Sequence, residues 1–166
     1  MNRRQFLRVG AVGAAASVAG CTKAVLGTNQ GRVVEKTVRA DETRVLSATA
    51  SGVSARDEYP GNAGSDPGNV VVNESVGTRL TESFGTVTYE VTIEQYRSAW
   101  PNDAKEGERT LYTTHRTLFN EIQVGDSITF QPDPTDTGRI SSISCVAADR
   151  ESLSARCSTG DGGGGD

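Results

Sequence analysis

The chain has 166 residues, room for one domain, and with 35% hydrophobic and only 5% aromatic residues its core must be small. Seventeen basic residues stand against 21 acidic ones. That balance disfavours the positive field on which phosphate-backbone recognition depends, so nucleic acid is not an expected partner. Of the basic residues 14 are Arg and 3 are Lys (Lys23, Lys36, Lys105); an acidic, lysine-poor surface suits solubility in concentrated salt, and high-GC codon bias would leave the same trace.

The first segment runs Met1-Asn2-Arg3-Arg4-Gln5-Phe6-Leu7-Arg8 and passes into an apolar stretch, Val9 to Gly20, built mostly of Ala, Gly and Val. A basic start followed by a short apolar run has the layout of an export signal. It falls short of the roughly 20 apolar residues that a bilayer-spanning helix needs. Arg3, Arg4, Phe6 and Leu7 resemble the twin-arginine export motif, and Val18-Ala19-Gly20-Cys21 resembles a lipobox. The two resemblances imply removal of residues 1–20 and lipidation of Cys21, which would hold the protein on the outer face of the cytoplasmic membrane. Two lipid chains give stable anchoring where one is marginal. A non-lipidated signal cut elsewhere is the alternative. Leader and composition together resemble the exported lipoproteins of haloarchaea. Residues 1–20 hold three arginines and no acid, so the remainder carries 14 basic and 21 acidic residues, a net charge of about −7.

Residues 21–30 read as the lipidated cysteine and a tether, and 31–157 as an all-β domain. A first strand is expected at Arg32–Val38, a second near Arg44–Ser51 and a third at Val53–Tyr59, with no convincing helical pattern. Pro60 to Asn69 is nearly pure turn chemistry and should be an exposed loop. The clearest strand is Thr86–Glu94, where Val87, Tyr89, Val91 and Ile93 alternate strictly with Thr86, Thr88, Glu90, Thr92 and Glu94. Further strands are expected at Glu108–Thr114, Ser127–Gln131 and Arg139–Val146, with a single helical turn near Leu118–Ile122. Six to eight short strands at this spacing predict one small barrel or a sandwich. The order of a Gly-x-Val-Val start, a Tyr-x-Val-x-Ile strand and a Val-Gly-Asp turn resembles a recurrent small, OB-like barrel. Ser158 to Asp166, with Gly162–Gly165, reads as a disordered tail.

Few residues carry a chemical signal. With Cys21 lipidated, Cys145 and Cys157 remain; paired outside the cell, they would close a loop worth roughly 3 kcal/mol in the chain-entropy model. The alternative is a buried Cys145 and an unpaired Cys157. Folding before export would take place in a reducing compartment, so the fold should not need the bond. His115 is the sole histidine and Met1 the sole methionine, too few ligands for a blue-copper or Cys/His metal centre, and no cofactor is expected. Glu90 and Glu94 share a strand face about 13 Å apart, too far for either glycosidase geometry. Asp133 and Asp136 fit a turn and fail the spacing of a calcium loop. Neither a nucleophile elbow nor a phosphate loop is present. Asn73-Glu74-Ser75 is an acceptor triplet for N-glycosylation, and Trp100 beside Pro101 is either a contact residue or a cap on the domain end. These features predict a non-enzymatic surface module that binds an envelope protein or small ligand, with a small carboxylate-based hydrolase as the alternative.

Overall fold

The computed structural model describes residues 27–99 and 104–157. Seven strands run through them: β1 (Asn29–Ala40), β2 (Thr43–Thr49), β3 (Gly52–Ala55), β4 (Val87–Arg97), β5 (Arg109–Thr114), β6 (Ser127–Pro132) and β7 (Ile140–Ala147). All named strand pairings are antiparallel, in the order β3-β2-β1-β4-β5, with β6 on β1 and β7 on β6. The all-β expectation therefore holds. Residues 1–26, 100–103 and 158–166, which include Arg3, Arg4, Phe6, Leu7, Cys21 and Trp100, lie outside the described residues.

β1 is the hub. Residues 30–40 pair with β4 on one edge, broken at Val34; on the other, Asn29–Arg32 pairs with β6 and Glu35–Ala40 with β2. Between these partners the register against β4 slips, Val33 facing Ile93 and Glu35 facing Thr92, so Val34 is an extra residue in a bulge. Val33 stays paired across the gap, donating from N to Asp126 O (2.8 Å) and accepting at O from Gly125 N (2.8 Å). Gly31 is required where β4 crosses closely, because a Cβ there would stand 2.6 Å from Glu94 O.

The sheet does not close into a barrel, and it is one sheet rather than the two of a sandwich. β5 and β7 meet at a single parallel bridge, Thr113 with Arg139, through Thr113 N on Gly138 O (2.8 Å). The turn leading into β7 keeps its N–H groups for itself: Thr135 N on Asp133 Oδ1, Gly138 N on Asp136 Oδ1 and Arg139 N on Asp136 O. Little is left with which to zip the two edges together.

Three α-helices form where the sequence predicts no more than a single helical turn: α1 (Glu74–Ser83), α2 (Arg116–Glu121) and α3 (Arg150–Cys157). α1 starts where Asn73 Oδ1 accepts from Val76 N (2.9 Å), an N-cap, with Glu74 in the first turn. It buries Val76, Gly77 and Leu80 against the sheet. The expected helical turn near Leu118 is α2, which buries Phe119. Strand bounds shift by a few residues. β1 begins at Asn29, inside the segment assigned to the tether, and β3 stops at Ala55; one further ladder bond, Arg56 N on Val45 O (2.9 Å), is made before Tyr59 N turns back onto Arg56 O (3.0 Å).

Val33, Val38, Val91, Ile93 and Tyr112 on β1, β4 and β5 form the inner face, closed by Val76, Leu80, Phe119, Ile122, Ile128 and Phe130. Each such burial contributes roughly 1.5–3 kcal/mol, which lets a core this small hold one sheet in shape. α3 buries Leu153 and is tied to β7 by a Cys145–Cys157 disulfide, with the Cα atoms 6.2 Å apart.

Candidate functional site

The segment Val70–Val72 joins the polar loop to α1 in extended form but pairs with no strand. Val70 and Val72 point into the core, and Val71 points out at 48% exposure. Side chains satisfy its backbone instead. Asn120 from α2 meets Val72 at both ends, accepting from Val72 N (2.9 Å) and donating Nδ2 to Val72 O (2.9 Å). Gln123 Oε1 accepts from Val70 N (2.8 Å). Two cations complete the set: Lys36 Nζ donates to Val70 O (2.7 Å) and Arg116 Nη1 to Val72 O (3.0 Å).

Lys36 points inward from the middle of β1 and is 0% exposed. Its ammonium also donates to Ile122 O (2.6 Å), at the C-cap of α2, and to Gln123 Oε1 (3.2 Å), and it lies 4.2 Å from the centroid of the Phe119 ring. Acceptors, a helix C-terminus and a ring face all favour a positive charge. Burial opposes it and prevails, lowering the Lys36 pKa to about 7 against the upward pull of Asp126. A neutral amine keeps two N–H donors for the two short carbonyl contacts, so the tie survives deprotonation. Lys36 lines neither of the two clefts described below and acts as a strut.

Arg116 faces an open cleft of about 620 Å³ between α1 and the ends of β4 and β5. The register sets Tyr89 on β4 beside Thr114 on β5, and the next two residues, His115 and Arg116, turn the chain into α2. Gly77, in the middle of α1, makes room: a Cβ there would lie 3.0 Å from Arg116 Cδ and 3.4 Å from Tyr89 Oη. A helix-interior Gly costs about 1 kcal/mol against Ala, so its place here follows from the Arg116 side chain passing beneath it. Burial raises the Tyr89 pKa, with Arg116 pulling the other way. Among the described residues Arg116 has no ion pair, and Thr114 Oγ1, on a residue 8% exposed, has no hydrogen-bond partner. His115 stands exposed at the N-cap of α2 and makes no side-chain cap bond.

A second cleft, of about 750 Å³, lies where β2 and β6 part from β1. Glu35, Asp66 and Glu94 line it, and each is already engaged. Glu35 pairs with Arg44 (3.1 Å) and accepts from Ser47 Oγ (3.0 Å); Glu94 pairs with Arg109 (3.5 Å); Asp66 Oδ1 caps Gly68 N (2.9 Å). Among the described residues no group of three His, Cys, Asp or Glu side chains could hold a metal ion.

The other residues singled out in the sequence lie apart from both clefts or in structural roles. Glu90, on the polar face of the expected strand, is buried and paired with Arg39 (3.1 Å). Asp133 pairs with Arg139, which holds its carboxyl well below the usual range, and Asp136 Oδ1 caps Gly138 N. Asn73 caps α1. Tyr89, Thr114 and Arg116 carried no signal in the sequence, because only the register and the packing of α1 bring them together. The chain matches no known family model, no characterised protein and no solved structure.

Proposed function

We propose that the chain is an exported surface protein, anchored by lipid on Cys21 to the outer face of the cytoplasmic membrane, whose β-domain is a non-enzymatic binding module. The observation that carries this reading is the N-terminal run, with Arg3, Arg4, Phe6 and Leu7 at its start and Val18-Ala19-Gly20-Cys21 at its end. The sheet begins at Asn29, so a short tether would keep the domain near the membrane. The bonded pair Cys145–Cys157 suits an oxidising exterior. It staples a peripheral helix rather than the hub strand, in keeping with a bond added after folding and export.

An exterior address also makes Asn73 a candidate glycan acceptor: its bonds to Val76 N and Ser75 Oγ both end on Oδ1, which leaves Nδ2 to carry a sugar. The carboxylates of the larger cleft are engaged, and a general acid or base needs a carboxyl not already committed to an arginine or a cap. Glu74 and Glu82 on the smaller cleft stand about 12 Å apart along α1, beyond either glycosidase separation, so binding is favoured over a carboxylate-based hydrolase.

Fractionation of cells expressing the full chain tests the anchor. Cys21→Ser is expected to move the protein from the membrane pellet to the soluble fraction, and Arg3→Lys with Arg4→Lys to leave a precursor inside the cell. A Cys21→Ser protein that still sediments with membranes overturns the reading.

A further inference from the structure

The cleft beneath α1 gathers hydrogen-bond donors that the fold leaves unused. Arg116 spends one N–H on Val72 O and meets no carboxylate among the described residues. Asn120 Nδ2 already donates to the same carbonyl, so holding Val72 does not require an arginine. Thr114 lines the cleft with a buried hydroxyl that has no partner, a costly state for a polar atom. A staggered χ1 step moves Oγ1 to another of the three positions around Cβ, so an acceptor in the cleft could draw the hydroxyl out. The Tyr89 hydroxyl and the His115 ring line the same cleft. Its rim is of opposite character: Glu74 and Glu82, near the two ends of α1, supply acceptors and negative charge.

We infer that this cleft binds a small carboxylate ligand whose acid group meets Arg116, Tyr89 and Thr114 and whose hydroxyl or ammonium groups face Glu74 and Glu82. A guanidinium offers a planar fork of N–H groups that matches a carboxylate. A dianionic phosphate is disfavoured because the rim acids and the acidic chain repel a second charge. The volume of about 620 Å³ falls within the range of small-molecule sites. Sugar acids and amino acids share this chemistry, a carboxylate flanked by donors. The inference gives the binding module of the preceding section its ligand class, but the cleft binds whether or not Cys21 carries lipid, so the two readings fail separately.

The test is a titration of the full chain, followed by calorimetry or amide chemical shifts, with D-glucuronate, glycine, D-glucose and inorganic phosphate. Saturable binding of glucuronate or glycine, with glucose and phosphate at least tenfold weaker, supports the inference, and the better of the two carboxylates tells sugar acid from amino acid. Tyr89→Phe and Thr114→Val are each expected to weaken that binding about tenfold, the loss of one hydrogen bond to a charged group. Thr114→Val removes an unsatisfied hydroxyl and should leave the unfolding midpoint unchanged or raised, which separates loss of binding from loss of fold. Equal affinity for glucose and glucuronate, no binding of either carboxylate, or full binding by both variants overturns it.

Discussion

Two cations reach the same three-residue segment from different sides, and they are treated very differently. Lys36 is sealed in the core, with two carbonyls, an amide oxygen and a ring face around one ammonium. Arg116 shares one carbonyl with Asn120 and lines an open cleft. A saturated buried charge is a device for holding structure. An under-used guanidinium, kept in place by a helix glycine and beside an unpaired hydroxyl, costs stability without repaying it in the fold. That contrast assigns Lys36 to architecture and Arg116 to binding.

The sharpest break of the comparison is Lys36→Met, which keeps apolar bulk and removes the donors. Val70 O and Ile122 O, both on buried residues, would lose their lysine partner, at about 1–3 kcal/mol each. Relief from burying an ammonium offsets part of this. A net loss of about 2–4 kcal/mol in urea unfolding is expected. Wild-type stability in the variant would remove Lys36 from the architecture.

The next largest effect is a pH dependence. The unfolded chain holds the Lys36 proton up to its ordinary value of 10.5, whereas the folded chain releases it at about 7. Between those values the unfolded state binds more protons, so stability rises with pH; below 7 the burial cost is present in full. The slope approaches about 1.4 kcal/mol per pH unit, or about 2 kcal/mol between pH 7 and 9 once partial titration is allowed for. Tyr59 and Tyr89, whose pKa values are raised, act in the opposite sense above pH 10, which sets the upper limit of the useful window. Lys36→Met should flatten the slope; a slope that persists in the variant belongs to another group.

Arg116→Gln completes the pair. Asn120 still donates to Val72 O, so a loss of about 1 kcal/mol or less is expected in the same unfolding assay, well below that of Lys36→Met. A loss as large as that of Lys36→Met would make Arg116 a second strut and weaken the case for a ligand.

The sheet was legible because its signal is local. Val87, Tyr89, Val91 and Ile93 alternate with polar residues, and turn chemistry bounds the strands at Pro60–Asn69 and Pro132–Gly138. α1 was not, because Glu74–Ser83 is small and polar and shows the core only Val76, Gly77 and Leu80, while its N-cap Asn73 also fits a glycosylation triplet. Openness of the sheet was hidden too, since it depends on where the 133–139 turn spends its N–H groups. The cleft was the least visible feature. Tyr89 and Thr114 meet through register, Gly77 and Arg116 through packing between helices far apart in the chain, and no spacing in the sequence encodes either. The role of Lys36 is invisible in the sequence, because the carbonyls that receive it come from residues 70 and 122.

Gly77→Ala is the finest test, since it sets helix propensity against the room that Arg116 needs. Alanine gains about 1 kcal/mol in a helix interior. Its Cβ would press on Arg116 Cδ at 3.0 Å and on Tyr89 Oη at 3.4 Å, and Arg116 is tethered at its far end to Val72 O. The two effects should nearly cancel, leaving a stability change within about 0.5 kcal/mol while Arg116 shifts in the cleft. Thermal unfolding and carboxylate titration of the same sample read the two consequences apart: a near-unchanged midpoint with weakened binding is the expected result. A full gain in stability with binding intact would mean that the glycine does not hold Arg116 in position, and the division of labour between the two cations would then lose its structural cause.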